Sequence, residues 1–186
     1  MASYIYFDVD GVLNAADSDT GDGIFPVFDD DKMQLLSELA SSCDAKLVMI
    51  SSWKEYLEGN ILDEEVGEFI LSTFARYDME ISDITIDKGF DRGVGILNHI
   101  TENAISSFCI LDDETFDYES CGLLDHLVKT TFFAGLTADD VAEAERLLYL
   151  AIDTFAVAKR WFRCCYNFCE RSYRHLFYTK MSGNFG

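Results

Sequence analysis

An α/β fold built on a parallel sheet, with helices on both faces, is what this sequence predicts, and three observations predict it. Short apolar runs suited to buried strands alternate with amphipathic helical stretches along most of the chain, the pattern of strands joined by crossover helices. Three of those runs stop at polar residues capable of chemistry: Asp8-Val9-Asp10, Ser51-Ser52 and Asp112-Asp113. In open parallel sheets the carboxyl ends of the strands converge on the crevice where ligands bind, so three such ends form a constellation rather than ordinary loop composition. The 186 residues, 49% hydrophobic and 26% charged, suit one domain with a short appendage.

The elements follow in order. Tyr4-Ile5-Tyr6-Phe7 is an apolar run that stops at Asp8, and it reads as a buried strand. Residues 11–28 are rich in Gly and Asp and hold the only Pro, Pro26, so they form a loop or small hairpin. Asp29 or Asp30 can cap a helix that carries Met33, Leu36, Leu39 and Cys43 on one face. Lys46–Ile50 is a second strand. Residues 62–77 form a second helix, with Val66, Phe69, Ile70, Phe74 and Tyr77 on a face. Ile84-Thr85-Ile86 reads as a third strand, and a helix follows Gly93 with Val94, Leu97 and Ile100. Ser107–Leu111 is a fourth strand and residues 127–133 a fifth. Thr137 caps the last long helix, with Asp140 three residues on as a weak capping box. The layout is Rossmann-like.

Composition narrows the function classes. The 15 Phe, 9 Tyr and 2 Trp exclude disorder as the main state. No run of 18 apolar residues exists, which excludes a transmembrane helix. The chain enters its first strand without a basic region before it, so no secretory signal is expected. Six Cys at irregular spacing then read as reduced thiols in a cytoplasmic protein. The net charge of −20 is uneven: residues 155–186 carry six Lys/Arg and one Glu, and residues 1–154 carry eight basic against 33 acidic residues. We therefore expect a domain over 1–154 and a basic, aromatic helical tail over 155–186. A body at −25 repels nucleic acid at long range.

Asp8-Val9-Asp10-Gly11-Val12-Leu13-Asn14 resembles the first motif of the haloacid dehalogenase (HAD) superfamily, DxDGxxx after an apolar strand. The other motifs come in the family's order: Ser51 at the end of the second strand, Lys88 and Arg92 before the next helix, and Asp112, Asp113 and Asp117 as a closing acidic motif. The similarity covers roughly residues 4–150. Within the superfamily, Ser51-Ser52-Trp53-Lys54, Arg92-Gly93, Leu111-Asp112-Asp113-Glu114 and Gly135-Leu136-Thr137 look most like the small domain of bacterial multidomain RNA-repair proteins. The resemblance implies a HAD-like fold. The stretches at 11–28 and 54–82 are too short for a large cap domain, so the crevice is expected to be open.

The residue types make chemical sense on their own. A carboxylate can attack phosphorus and form an aspartyl-phosphate, dividing one hard displacement into two. Asp8, at the strand tip, is the candidate nucleophile. Asp10 can protonate the leaving alcohol and later deprotonate the attacking water, while Gly11 lets the backbone turn away sharply. Carboxylates meeting a phosphate need a hard cation, and Mg²⁺ suits, held by Asp8 and Asp113. The resemblance adds the main-chain carbonyl of Asp10 as a ligand. Asp112 is a ligand through water or an orienter of Asp113. Ser51 would donate to a phosphoryl oxygen. Lys88 would neutralise the transferring group and is favoured over Arg92 as a compact point charge, though Arg92 competes for the role. Ser52, Trp53 and Lys54 lie just beyond and are candidates for substrate contact, by stacking for Trp53 and by charge for Lys54; Trp53 as a plain core residue is the competing reading.

Weaker signals are set aside. Residues 17–28 have the look of a calcium loop, but Asp22 stands where the loop needs Gly and Phe28 where it needs Glu. Cys164, Cys165 and Cys169, with His175 nearby, fit zinc spacing poorly. His99 and His126 have no evident chemical partner. The tail's nine aromatics suit packing on the domain, on a second copy, or on a partner or membrane surface. The functional expectation is a Mg²⁺-dependent phosphomonoester hydrolase acting through an aspartyl-phosphate. The alternatives are a polynucleotide end phosphatase in nucleic-acid repair and an inert HAD-like interaction or regulatory module.

Overall fold

Tyr4 to Phe7 become a central strand because both of their faces can be buried: Ile5, Tyr6 and Phe7 are each fully inaccessible to solvent. In the computed structural model, which describes residues 2–19, 23–57, 64–87 and 91–149, this segment is β1 (Ser3–Phe7), the middle of a five-stranded sheet. The other strands are β2 (Ala45–Met49), β3 (Ile81–Ile84), β4 (Phe108–Asp112) and β5 (Leu127–Lys129). Their order is β3-β2-β1-β4-β5 and every pairing is parallel. Strand order therefore reverses at β1, with β2 on one side and β4 on the other, and the crevice between the carboxyl ends of β1 and β4 is the switch point.

The strand pleat sorts side chains between two layers. Ile5, Phe7, Leu47, Met49, Cys109 and Leu111 share one core with α1 (Asp30–Ser42), α2 (Glu64–Ala75) and α4 (residues 138–149) through Met33, Leu36, Ile70, Phe74, Ala144 and Leu148. Tyr6, Val48, Ile50, Phe108 and Ile110 form the other core with α3 (Arg92–Glu102) through Ile96, and with Tyr118 and Leu123. A slip of one residue in β1 would exchange the two sets, at ~1.5–3 kcal/mol for each large side chain exposed, so register is strongly specified. No helix among the described residues is long and apolar enough to cross a membrane.

Helix ends follow their local chemistry. Asp78 (φ +56) and Ala104 (φ +51) turn left-handed after α2 and α3, and the next residues, Met79 and Ile105, donate back to Phe74 and Ile100, the six-to-one closure of a Schellman end. Thr137 and Asp140 form the expected reciprocal cap: Thr137 N donates to Asp140 Oδ2 at 2.9 Å and Asp140 N to Thr137 Oγ1 at 3.3 Å.

Two strands differ from expectation. β3 is Ile81–Ile84, and Ile84-Thr85-Ile86 lies mostly beyond it, with Ile86 80% exposed. An edge strand with intermediate and exposed residues needs no apolar run, and its pairing shifts at Leu47/Val48. β5 ends at Lys129. The residues to 133 instead enter a turn closed by a bridge between Thr131 and Gly135, which leaves Phe132 and Phe133 exposed. The calcium-like loop falls partly, and the tail over 155–186 with its cysteines wholly, outside the described residues. His99 and His126 are structural: His99 bonds the Tyr6 hydroxyl through Nδ1 at 2.8 Å, and His126 stacks on Phe108 with ring centroids 4.1 Å apart.

Candidate active site

Parallel register sets Phe7 beside Leu111, so the next residues, Asp8 and Asp112, leave the sheet side by side. Asp8 N donates to the Leu111 carbonyl at 2.9 Å, which holds the strand ends together one step past the ladder. Both carboxylates are buried, Asp112 completely. With Asp113 they form an acidic cluster in which one carboxylate oxygen from each lies within 4.8 Å of the others.

Crowding and burial raise the charge cost. Burial first, and then the neighbouring Asp8, push the Asp112 carboxyl up to about 6, against opposing help from Arg92, Tyr118 and the Glu114 amide. The same two causes raise Asp113. Arg92 relieves part of the repulsion, since its Nη1 donates to Asp8 Oδ2 at 2.6 Å and to Asp112 Oδ2 at 2.9 Å. Burial opposes the guanidinium charge, but Asp8 and Asp112 outweigh it and hold Arg92 more firmly protonated than usual. The Phe116 ring lies 4.2 Å from the guanidinium carbon, a cation–π contact made by a residue at φ +33. The donor set fits a small hard cation: three carboxylate oxygens at one strand-end crevice, with soft or nitrogen ligands absent from the cluster.

The loop after β1 brings in the second acid. Gly11 has φ +72, and a Cβ there would lie 2.4 Å from Asp113 Cγ, so both conformation and space demand glycine. Asn14 braces this turn: its Oδ1 accepts from Gly11 N at 2.9 Å, and its Nδ2 donates to Asp10 Oδ1 at 3.0 Å and to the Val27 carbonyl. Asp10 itself is exposed at the crevice mouth, and its Oδ2 accepts from Trp53 Nε1 at 3.1 Å. The far side is closed by residues 130–136, where Thr130 Oγ1 donates to the Gly11 carbonyl at 2.6 Å and Leu136 N to the Val12 carbonyl at 2.8 Å.

After β2, Ser51 is buried and caps a short 3₁₀ turn, Ser52–Tyr56, by accepting from Trp53 N at 3.4 Å. As an acceptor there, its hydroxyl keeps its own proton to donate. Ser52 is exposed and Trp53 half-buried, with its ring 5.7 Å from that of Tyr56. Lys54 departs from the expected place at the mouth. It is only 5% exposed, and its Nζ donates to Asp87 Oδ2 at 2.6 Å and to the Ile50 carbonyl. A buried ammonium takes a buried carboxylate in preference to open solvent, so this charge braces the segment after β3. Lys88 falls outside the described residues, and among those described Arg92 is the cation on Asp8.

Tyr118 carried no sequence signal of its own, Asp117 was expected with the closing acidic motif, and Asn14 stood in the first motif without a role. Tyr118 is buried and donates to Asp112 Oδ2 at 2.6 Å. Asp117 stands apart from the acidic cluster: Oδ1 accepts from Gly93 N at 2.6 Å and Oδ2 from Val94 N at 3.2 Å, which ties the first turn of α3 to the loop after β4. A Cβ on Gly93 would come within 2.9 Å of that carboxylate. Asn14 completes the set; its place four residues after Asp10 was the one available hint.

No curated protein matches this chain. A family model does, over residues 4–141, a span that begins in β1 and takes in the acidic cluster, the Ser51 turn and Arg92, and by that match the chain belongs to the family described as the HAD domain in Swiss Army Knife RNA repair proteins.

Proposed function

We propose that this protein is a Mg²⁺-dependent phosphomonoester hydrolase that works through an aspartyl-phosphate on Asp8. The observation that carries the reading is the placing of Asp8 at the strand tip, against Arg92 and beside Asp112 and Asp113, with Asp10 two residues on. Asp8, Asp112 and Asp113 would hold the ion, and the Asp10 carbonyl is the further ligand that the family resemblance implies. When bound, Mg²⁺ supplies charge neutralisation for the approach of a carboxylate to a phosphate.

The remaining work falls to the chain. A carboxylate oxygen of Asp8 forms a bond to phosphorus as the ester P–O bond breaks, and the departing alkoxide takes the proton of Asp10. A water then attacks the same phosphorus and gives its proton to Asp10. The Asp8–phosphorus bond breaks, and inorganic phosphate leaves with the Asp8 carboxylate restored. Ser51 donates its hydroxyl to a phosphoryl oxygen. Arg92 offers its guanidinium to the charge that builds on those oxygens, a role that Lys88 would share. Ser52 and Trp53 border the entering ester.

A second reading, a phosphatase of polynucleotide ends, is favoured by the description of the matched family and opposed by the −25 charge of residues 1–154. The deciding experiment is a screen of phosphate esters with Mg²⁺, small esters alongside 5′- and 3′-phosphorylated oligonucleotides. Release of phosphate from small esters alone supports the first reading, and strong preference for oligonucleotide ends the second. No release from any of them leaves the interaction module and refutes both.

A further inference from the structure

The Asp10 carboxyl is held from two sides by donors of different origin. Asn14 lies on the same loop and bonds Oδ1. Trp53 arrives from the turn after β2, 43 residues away, and bonds Oδ2. Its indole is fixed in turn by the Tyr56 ring and by the backbone bond to Ser51 Oγ. An indole has one donor and no acceptor. At a half-exposed position water could satisfy that donor, so a bond from it to a carboxylate at the crevice mouth is a directional feature that packing alone does not require. The same turn carries Lys54 away to Asp87, which leaves Trp53 as the residue of the Ser51 turn that reaches Asp10.

We propose that Trp53 is a positioning residue for Asp10, its indole N–H fixing the carboxyl that gives a proton to the leaving group. The inference rests on the phosphatase reading above. Proton transfer needs the heavy atoms within about 3 Å, and an exposed Asp side chain with one tether removed spends less of its time there. The loss falls on the step that needs the proton. An alkyl ester, whose alkoxide leaves poorly unprotonated, depends on that step, whereas a nitrophenyl ester leaves as a stable anion and depends on it much less.

The test is Trp53→Phe, which keeps an aromatic ring and removes the donor, assayed with Mg²⁺ on glycerol phosphate and para-nitrophenyl phosphate. The expected result is that kcat on the alkyl ester falls about tenfold further than on the nitrophenyl ester. Equal losses on the two esters, or none on either, overturn the proposal and leave the phosphatase reading standing. A wild-type protein that hydrolyses neither ester overturns that reading and this role with it. The contact has its own readout in the indole N–H resonances, where the Trp53 signal is identified by its loss in Trp53→Phe. In Asp10→Ala that signal should shift and exchange faster with solvent, and an unchanged signal overturns the proposal whatever the kinetics show.

Discussion

Asp112 carries an electrostatic conflict: a fully buried carboxylate beside two others, eased by Arg92, Tyr118 and one amide. Its folded-state pKa of about 6 lies above the ordinary carboxylate value of ~3.9, so the folded state binds this proton more tightly than the unfolded chain. The stabilisation is full below about pH 4 and is lost as pH rises through about 6. Without metal, wild-type stability should therefore drop between pH 5 and 7.5 by about 1–3 kcal/mol more than that of Asp112→Asn, measured by urea unfolding in a chelator. Asp8→Asn keeps the shape and removes the proposed nucleophile, so turnover should fall by at least ~10³-fold with the fold intact by circular dichroism; activity within tenfold of wild type excludes a covalent mechanism. The sequence displayed Asp8, Asp10, Ser51 and the Asp112-Asp113 pair because each ends an apolar run. It favoured Lys88 over Arg92 on charge shape alone, because a guanidinium reaches Asp8 only through the placement of the first turn of α3. Nor could it reveal that Lys54 is spent on Asp87, a partner 33 residues away.

Elements position these groups through their ends. Asp117 caps α3 and so fixes Arg92, the first residue of that helix. Asp117→Ala should cost about 1 kcal/mol of stability and lower kcat by about tenfold through a displaced guanidinium, as measured by melting and steady-state kinetics; a stability loss with unchanged kcat would separate the cap from the chemistry. At the other end, Ala104 sits at φ +51, where glycine carries no Cβ penalty, and Ala104→Gly should stabilise the protein by up to ~1 kcal/mol without altering turnover. The central strands were legible because burial on both faces forces a continuous apolar run, as in β1 and β4. β3 was misplaced because an edge strand with little buried surface leaves no such mark, and Ile86, the residue that suggested it, faces solvent. β5 was read too long because Phe132 and Phe133 look like strand residues while serving an exposed turn.

For the whole molecule, a metal held by the acidic cluster would link its binding to stability. Mg²⁺ at a hundred times its dissociation constant should stabilise the wild-type fold by about 2.7 kcal/mol, and Asp113→Ala should abolish the thermal shift; a variant that keeps it removes Asp113 from the ligand set. A chain ending at Asp153 is expected to keep its turnover per folded molecule, since every residue that lines or braces the site, Leu136 included, precedes position 137; a folded, metal-binding but inactive truncation would show that the tail completes the site. The parallel pairing of β1 with β4 has one more consequence, for the order in which the protein can be made. Asp8 is made before residues 108–111, so β1 finds its second neighbour only when those residues have followed, and the loop after β1 is braced only once Thr130 and Leu136 arrive. A nascent chain therefore brings Asp8, Asp112 and Asp113 together only once most of the sheet exists, and an ion held by the three would select only the completed fold.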